Sequence, residues 1–141
     1  NAGTMGNILA TRIQQKGGVG IVTDGAYRDS PAIREIGIAA YAAAMNAHTN
    51  KTVHHPSEIQ VPVACGGVAV FPGDIIVGDS EGVVVVPAHL ADEVAEAAEA
   101  QELKEQFIIE RIEAGASLVG NYPPDTETLA EFEQWKAQRG K

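Results

Sequence analysis

Cysteine is scarce in this sequence, because its 141 residues contain only Cys65. A single cysteine excludes an internal disulfide, on which small secreted domains usually depend. We therefore expect a cytoplasmic protein whose fold is stabilised by a hydrophobic core, and 141 residues are enough to build one.

Long apolar runs and basic residues are scarce as well. The strongest apolar run, Val83–Val86, ends at Pro87 and is far too short to span a bilayer. Lys and Arg total 10 against 19 Asp and Glu, so the net charge is −9. A chain this acidic is poorly suited to a phosphate backbone, so neither a membrane nor a nucleic acid is an expected partner.

Several catalytic and cofactor-binding motifs are also absent. There is no Gly-x-Gly-x-x-Gly fingerprint after a predicted strand, no Walker phosphate loop and no Gly-x-Ser-x-Gly nucleophile elbow. The four histidines form no helical i, i+4 pair, and no cysteine joins them at zinc-finger spacing. These absences argue against a dinucleotide enzyme, a P-loop NTPase, an α/β-hydrolase and a zinc site.

The first part of the chain has the hydrophobic pattern of two short helices around a buried strand. Ile8, Leu9 and Ile13 recur at helical spacing. Ser30 and Pro31 are the residue types that favour a helix cap and a first helical position. The predicted order is a helix over 6–16, a strand over 19–22, a turn over 23–25, a helix over 31–37 and a long irregular connection over 39–57.

The rest of the chain changes to short β-branched runs and then to helical spacing. Turn-forming residues separate predicted strands over 59–63, 67–71, 75–77 and 83–86, so these strands should pair as antiparallel neighbours. A long helix is predicted over 88–114 and a last helix after 125. The sequence therefore predicts an α+β fold: a β/β/α layered domain over 1–124, with a mixed, largely antiparallel sheet flanked by helices, and a helical tail over 125–141.

The best candidate for chemistry is the segment after the first predicted strand, which contains Arg28 and Asp29. The planar guanidinium of Arg28 suits a carboxylate or a developing oxyanion. The carboxylate of Asp29 offers hard oxygen ligands that Mg²⁺ and Mn²⁺ prefer. The alternative interpretation is a surface ion pair, and the spacing alone leaves both open.

A second candidate is the start of the first helix, at Gly6, Asn7, Ile8 and Leu9. The first N–H groups of a helix have no partner within it, so they can bind a small anion such as a keto-acid carboxylate. A glycine-rich helix start without a ligand explains the same residues. Cys65 has no evident base beside it and is interpreted as an apolar filler.

Five segments point together to one known family. They are Gly6-Asn7-Ile8-Leu9-Ala10-Thr11, Val22-Thr23-Asp24-Gly25, Arg28-Asp29-Ser30, Phe71-Pro72-Gly73-Asp74 and Asp79-Ser80-Glu81-Gly82-Val83. With them the sequence resembles the 4-hydroxy-4-methyl-2-oxoglutarate aldolase / regulator of ribonuclease activity A family, from about Gly3 to Pro124. The resemblance implies a swivelling β/β/α domain and a homotrimer or hexamer with active sites between subunits.

The resemblance also implies roles for individual residues. Asp29 would hold a divalent metal, Mg²⁺ or Mn²⁺, largely through water, and Arg28 would contact the keto oxygen of the substrate. Backbone N–H groups of the segment from Gly6 to Leu9 would bind the pyruvate carboxylate. A carboxylate from the long helix of the adjacent subunit would assist, with Glu105 as the first match and Glu102 as the second.

The implied activity is that of a carbon–carbon lyase. It would be a metal-dependent aldolase or oxaloacetate decarboxylase that acts on a small 2-keto acid through a pyruvate enolate. The aldolases often carry Asp where this chain has Asn7, and Asn cannot take a proton. This departure leaves open a different small-molecule enzyme on the same scaffold. A non-catalytic regulator that binds a protein partner is a further alternative, although such regulators tend to lose the metal carboxylate that this chain keeps.

The start of the chain carries one more expectation. Its first residue is Asn1 rather than Met, and the N-terminal part of the usual family domain is not in the sequence. We therefore expect that part as a missing segment or as a separate chain.

Overall fold

The α+β class predicted from the sequence is confirmed by a computed structural model that describes residues 2–140. Its two compact units meet in the sequence at Ala88 and His89. Asn1, which bears on the predicted upstream segment, lies outside the described residues. No helix among those residues is long and apolar enough to cross a membrane.

A three-stranded parallel sheet forms the centre of the first unit. Its strands, in spatial order, are β1 (Gly3–Met5), β2 (Gly20–Tyr27) and β3 (Ala39–Met45). Because all three run in the same direction, their carboxyl ends lie at one edge of the sheet. This edge is where α/β folds usually bind their ligands.

Two helices connect these strands and cover one face of the sheet. They are α1 (Asn7–Gln15), between β1 and β2, and α2 (Ser30–Ile36), between β2 and β3. Right-handed crossovers between successive neighbouring strands put both helices on the same side. The side chain of Gln14 donates a hydrogen bond of 3.0 Å to the carbonyl oxygen of Ile36, which joins the two helices.

The core of the first unit lies between the helices and the sheet. Its buried members come from both layers: Met5, Ala10, Tyr27, Ile33 and Ile38. The Tyr27 hydroxyl donates a 2.9 Å hydrogen bond to the Ile21 carbonyl oxygen, so this buried polar group has a partner. Burial, with a smaller contribution from Cys65, raises the pKa of Tyr27 to about 12.

The remaining strands of the first unit form two antiparallel hairpins. They are β4 (Val63–Cys65) with β5 (Val68–Val70), and β6 (Ile75–Gly78) with β7 (Val83–Val86). The predicted antiparallel pairing is therefore confirmed, and each pair forms its own two-stranded sheet. A hairpin turn lies between β4 and β5, where Gly66 and Gly67 have the positive φ angles of 58° and 81° that favour glycine.

The structure corrects three local predictions. The turn predicted over 23–25 is wrong, because β2 continues to Tyr27 through an irregularity in its pairing with β3. The irregular connection predicted over 39–57 is wrong in its first part, where alanine-rich β3 gains its stability from pairing with β2. The strand predicted over 59–63 retains only Val63, and Gln60 has a φ of 58° that interrupts an extended chain.

The second unit is a pair of helices, α3 (Ala91–Glu113) and α4 (Thr126–Gln138), as the sequence predicted. Phe107, Ile108 and Phe132 form its buried core, with Trp135 packed against them. The side chain of Asp125 caps α4 by accepting a 2.9 Å hydrogen bond from the backbone N–H of Thr128. This bond stabilises the carboxylate form and lowers the pKa of Asp125.

Candidate active site

The candidate site lies at the edge of the parallel sheet where its strands end. β1 ends at Met5, and its carbonyl oxygen accepts a 3.0 Å hydrogen bond from the backbone N–H of Arg28. β2 ends at Tyr27, and its carbonyl oxygen accepts a 2.8 Å hydrogen bond from the N–H of Asn46, which follows β3. The backbone pairing thus extends one residue beyond the strands, and it brings together the segments that follow β1, β2 and β3.

Arg28 and Asp29 form an ion pair directly after β2. The Arg28 Nε atom lies 3.3 Å from Asp29 Oδ2, and both side chains are about 40% exposed, 42% for Arg28 and 39% for Asp29. Asp29 occupies the N-cap position of α2 with a φ of 58°, yet its carboxylate makes no capping hydrogen bond to the helix. A non-glycine residue at such a φ is uncommon and often marks a functional position. The carboxylate therefore pairs with Arg28 instead of capping α2.

Gly6 lies in close contact with this ion pair. A Cβ atom added at Gly6 would lie 2.3 Å from Asp29 Oδ2 and 3.1 Å from Arg28 Nε. The φ of Gly6 is −125°, which any residue can adopt, so the need for glycine is one of space. The structure thus brings together three of the predicted site residues from segments more than 20 positions apart in the sequence.

The amino end of α1 forms one wall of a cavity of about 280 Å³ beside the ion pair. Asn7, Ile8 and Leu9 are the first residues of this nine-residue helix, and no side chain caps it. Their N–H groups precede the first intrahelical donor, Ala10, whose N–H bonds the Gly6 carbonyl oxygen at 3.1 Å. Backbone donors and a guanidinium therefore line the same space, as an anion requires.

Another part of the cavity lining comes from the segment after β3, which the sequence analysis did not select. Thr49, Asn50 and Lys51 line the cavity there. Their position depends on β3, which the sequence pattern did not reveal. A prediction of β3 would have identified these residues, because it would have placed the residues after Met45 at the same edge of the sheet.

The predicted assisting carboxylates lie on α3, in the second unit. Glu105 is half-buried and accepts a 2.6 Å hydrogen bond from the side chain of Gln101, and Glu102 is exposed. The role of either residue in the site of an adjacent subunit stays a prediction.

Asp29 is the carboxylate of this cavity that is available to a divalent metal. Within residues 2–140, no three His, Cys, Asp or Glu side chains are grouped as metal ligands. A closed zinc site needs such a group, whereas Mg²⁺ keeps several waters and is often bound through one or two carboxylates. The partly exposed carboxylate of Asp29 fits a Mg²⁺ or Mn²⁺ ion whose other ligands are water and substrate.

A larger cavity of about 420 Å³ is lined by the hairpin of β6 and β7. Its charged lining residues are Asp79 and Glu81, and the rest of its lining is glycine and valine. This cavity offers no cation to an acidic substrate, so the smaller cavity beside Arg28 is the better candidate.

Comparison with known proteins shows which family the chain resembles. Residues 1–85 match the RraA-like family model, described as Aldolase/RraA. A Halalkalibacterium halodurans protein, provisionally named 4-hydroxy-4-methyl-2-oxoglutarate aldolase, is 31% identical over 101 residues, which are 72% of this chain and 48% of that protein. The chain spans about half the length of two curated relatives that it matches.

Two crystal structures show the same fold. One is an uncharacterised protein from Pseudomonas syringae pv. tomato, with a TM-score of 0.81, 31% identity and coverage of 86% of this chain and 61% of the other. The second is Streptomyces coelicolor RraAS2, described as an unusual member of the RNase ES inhibitor RraA protein family. It has a TM-score of 0.73, 39% identity and coverage of 78% and 56%.

Proposed function

The chain belongs to the Aldolase/RraA family, and from that premise we propose that it is a divalent-metal-dependent carbon–carbon lyase acting on small 2-keto acids. The observation that carries the proposal is the contact among Gly6, Arg28 and Asp29. It joins a guanidinium, an available carboxylate and the amino end of a helix around one cavity. A 2-keto acid presents a carboxylate and a keto oxygen next to each other, and these two groups match the donors.

The chemistry of the proposed reaction follows from where charge develops. When the C4 hydroxyl of a 4-hydroxy-2-keto acid loses its proton, C4 becomes a carbonyl carbon and the bond between C3 and C4 breaks. Its electron pair is delocalised from C3 onto the keto oxygen, which becomes an enolate oxygen, and a proton added at C3 then gives pyruvate. Arg28 stabilises that negative charge, and the N–H groups of Ile8 and Leu9 hold the adjacent carboxylate in place. In oxaloacetate the same electron pair is left when CO₂ departs, so one site supports both reactions.

Asp29 is the residue that would hold the metal. A bound Mg²⁺ or Mn²⁺ ion would supply Lewis-acid polarisation of the keto oxygen. The ion pair with Arg28 keeps the Asp29 carboxylate turned toward the cavity, since the side chain makes no bond to its own helix.

Proton transfer is the step that Asn7 changes. Its amide can orient a water molecule by hydrogen bonding but cannot accept a proton from it. Asn7 is half-buried at the cavity wall, so we assign it the binding of water or substrate and not the role of base. Glu105 of an adjacent subunit, in a homotrimer or hexamer, is the proposed source of the missing carboxylate.

The test is metal-dependent turnover in the full-length protein. Pyruvate release from oxaloacetate and from 4-hydroxy-2-keto acids should require Mg²⁺ or Mn²⁺ and stop with EDTA. Asp29→Ala should lower kcat/KM by at least about 100-fold, because the metal loses the one carboxylate that this chain contributes to the cavity lining. The matched control is Asp92→Ala, which removes an exposed carboxylate from the first turn of α3. Absence of turnover with every substrate and both metals would contradict the proposal, and so would full activity of Asp29→Ala.

A second candidate function is binding and inhibition of an RNA-processing enzyme. The Streptomyces relative is described within an RNase ES inhibitor family. Ile8 and Leu9 are 78% and 53% exposed on the first turn of α1, which is a surface that could contact a protein. RNA cleavage by an RNase ES-type enzyme should then fall when the protein is added, with Asp29→Ala as effective as the unchanged protein. An effect of Ile8→Ser on inhibition, without an effect on turnover, would favour this function.

A further inference from the structure

Lys51 gives the cavity a second cation that the proposed chemistry at the keto-acid end does not use. Arg28 and Lys51 line the cavity as cations, and Asp29 is the one carboxylate among the lining residues. The cavity thus has an excess of positive charge in a chain whose net charge is −9. Lys51 is exposed, and no carboxylate among residues 2–140 forms a salt bridge with it.

The segment that carries Lys51 is fixed to the site by hydrogen bonds. The Asn50 side chain donates a 2.7 Å hydrogen bond to the carbonyl oxygen of Thr4, at the centre of β1. The N–H of Gly3 donates a 2.7 Å hydrogen bond to the carbonyl oxygen of His48. Asn50 also begins a short helical turn, because its carbonyl oxygen accepts hydrogen bonds from the N–H groups of Val53 and His54, each 2.9 Å long. The chain just before Lys51 is therefore held against β1, and the residues after Lys51 are hydrogen-bonded back to Asn50.

We propose that Lys51 is a specificity-determining residue that binds a second anionic group of the substrate in this cavity. This inference rests on the function proposed above. In that arrangement the first carboxylate binds at the amino end of α1 and the keto oxygen binds at Arg28. Lys51 then discriminates between 2-keto acids with two carboxylates and those with one. Asn50 is its positioning residue.

The kinetic test compares two substrates in the full-length protein. For 4-hydroxy-2-oxoglutarate, which has two carboxylates, Lys51→Met should raise KM about ten-fold to 100-fold and leave kcat within about three-fold, since the second carboxylate stays bonded to C4 when the C3–C4 bond breaks and its charge-assisted contact is lost equally from the bound substrate and the transition state. For 4-hydroxy-2-oxopentanoate, which has one carboxylate, KM should change less than about three-fold. Lys51→Arg should restore most of the discrimination. The matched control is Lys16→Met, at the far end of α1.

A binding test separates this inference from the proposed function. Calorimetry gives the Kd of 2-oxoglutarate, a dicarboxylate, and of pyruvate, a monocarboxylate, both in the presence of Mg²⁺. In Lys51→Met the Kd of 2-oxoglutarate alone should rise, about ten-fold or more. If no variant turns over any substrate but this selective loss is seen, the proposed reaction is wrong and the role of Lys51 stands. Equal changes for both ligands, no change, or no binding of either ligand to the unchanged protein would overturn the role of Lys51.

Positioning by Asn50 has its own readout. Asn50→Ala removes the bond to Thr4 and leaves the charge of Lys51 in place. We expect the KM for 4-hydroxy-2-oxoglutarate to rise about three-fold to ten-fold with little change for the monocarboxylate, because the lysine is less well oriented. If the selectivity for 4-hydroxy-2-oxoglutarate is unchanged in Asn50→Ala, the positioning role is wrong.

Discussion

Substitution of Gly6 by alanine tests whether the contact at the centre of the site matters. The new Cβ atom would lie 2.3 Å from Asp29 Oδ2, whereas ordinary van der Waals contacts begin near 3.4 Å. The carboxylate must therefore move by about 1.1 Å, the difference between the two distances, or turn away from Arg28. The Gly6 backbone itself can remain as it is, because a φ of −125° suits alanine.

The expected effect on catalysis follows from that displacement. A misplacement of about 1 Å in a catalytic constellation can cost about 100-fold in rate, which corresponds to about 2.7 kcal/mol. The expected effect on folding is much smaller. Alanine is a poorer helix cap than glycine, while it also restricts the unfolded chain, so the free energy of unfolding should change by no more than about 1 kcal/mol.

The assay measures kcat/KM for oxaloacetate with saturating Mg²⁺, the Kd of Mn²⁺ and the urea denaturation midpoint. Gly6→Ala should lose about 100-fold in kcat/KM and bind Mn²⁺ more weakly, with a nearly unchanged midpoint. The matched control is Gly20→Ala at the start of β2, where a Cβ atom would have its nearest neighbour at an unstrained 3.5 Å. If Gly6→Ala retains activity within about three-fold while remaining folded, the contact of Gly6 with the ion pair is not part of the catalytic arrangement.

Two other predictions concern stability. Glu110→Ala should lower the free energy of unfolding by about 1–2 kcal/mol in a urea titration, since its carboxylate binds both Nη atoms of Arg139 at 3.1 Å and accepts a 3.0 Å bond from the Trp135 indole. The control is Glu113→Ala, an exposed acid at the end of α3, and equal losses in the two variants would contradict this reasoning. Because burial raises the pKa of Tyr27 from 10.0 to about 12, stability should be complete below pH 10 and fall as the pH rises toward 12. Titration of tyrosinate absorbance and unfolding should show this dependence in the unchanged protein and lose it in Tyr27→Phe; ionisation of Tyr27 near pH 10 would refute the argument.

Local sequence signals were sufficient for the helices and for the hairpin of β6 and β7. α1 and α3 have regular apolar spacing, and their predicted bounds lie within a few residues of the observed ones. The hairpin from β6 to β7 has β-branched residues on both sides of the Asp79–Gly82 turn. Arg28 and Asp29 were selected for their chemistry, their position after a predicted strand and the family resemblance, and the structure shows their 3.3 Å approach.

The prediction of the central sheet was incomplete for a physical reason. Residues 39–45 read Ala-Ala-Tyr-Ala-Ala-Ala-Met, a composition with little β-propensity. The strand nevertheless forms, since it pairs with β2 in the parallel register that runs from Gly20 with Ala39 to Tyr27 with Met45. Such pairing joins residues about 19 positions apart, and no local window of the sequence contains both partners.

The missed strand explains why half of the cavity was also missed. Gly6, Arg28 and Lys51 lie at intervals of 22 and 23 residues, by subtraction of their positions. Each follows a strand of one parallel sheet. Because each connection through a helix leads into another strand of the same direction, the residues after the strands lie at the same edge of the sheet although they are far apart in the sequence. Motif spacing identifies the first two, because a helix start and a charged pair carry their own chemical meaning. A single lysine in a loop has no such chemical meaning by itself. Its proposed role depends on the position that β3 gives it in the fold, and the sequence around Lys51 does not contain that information.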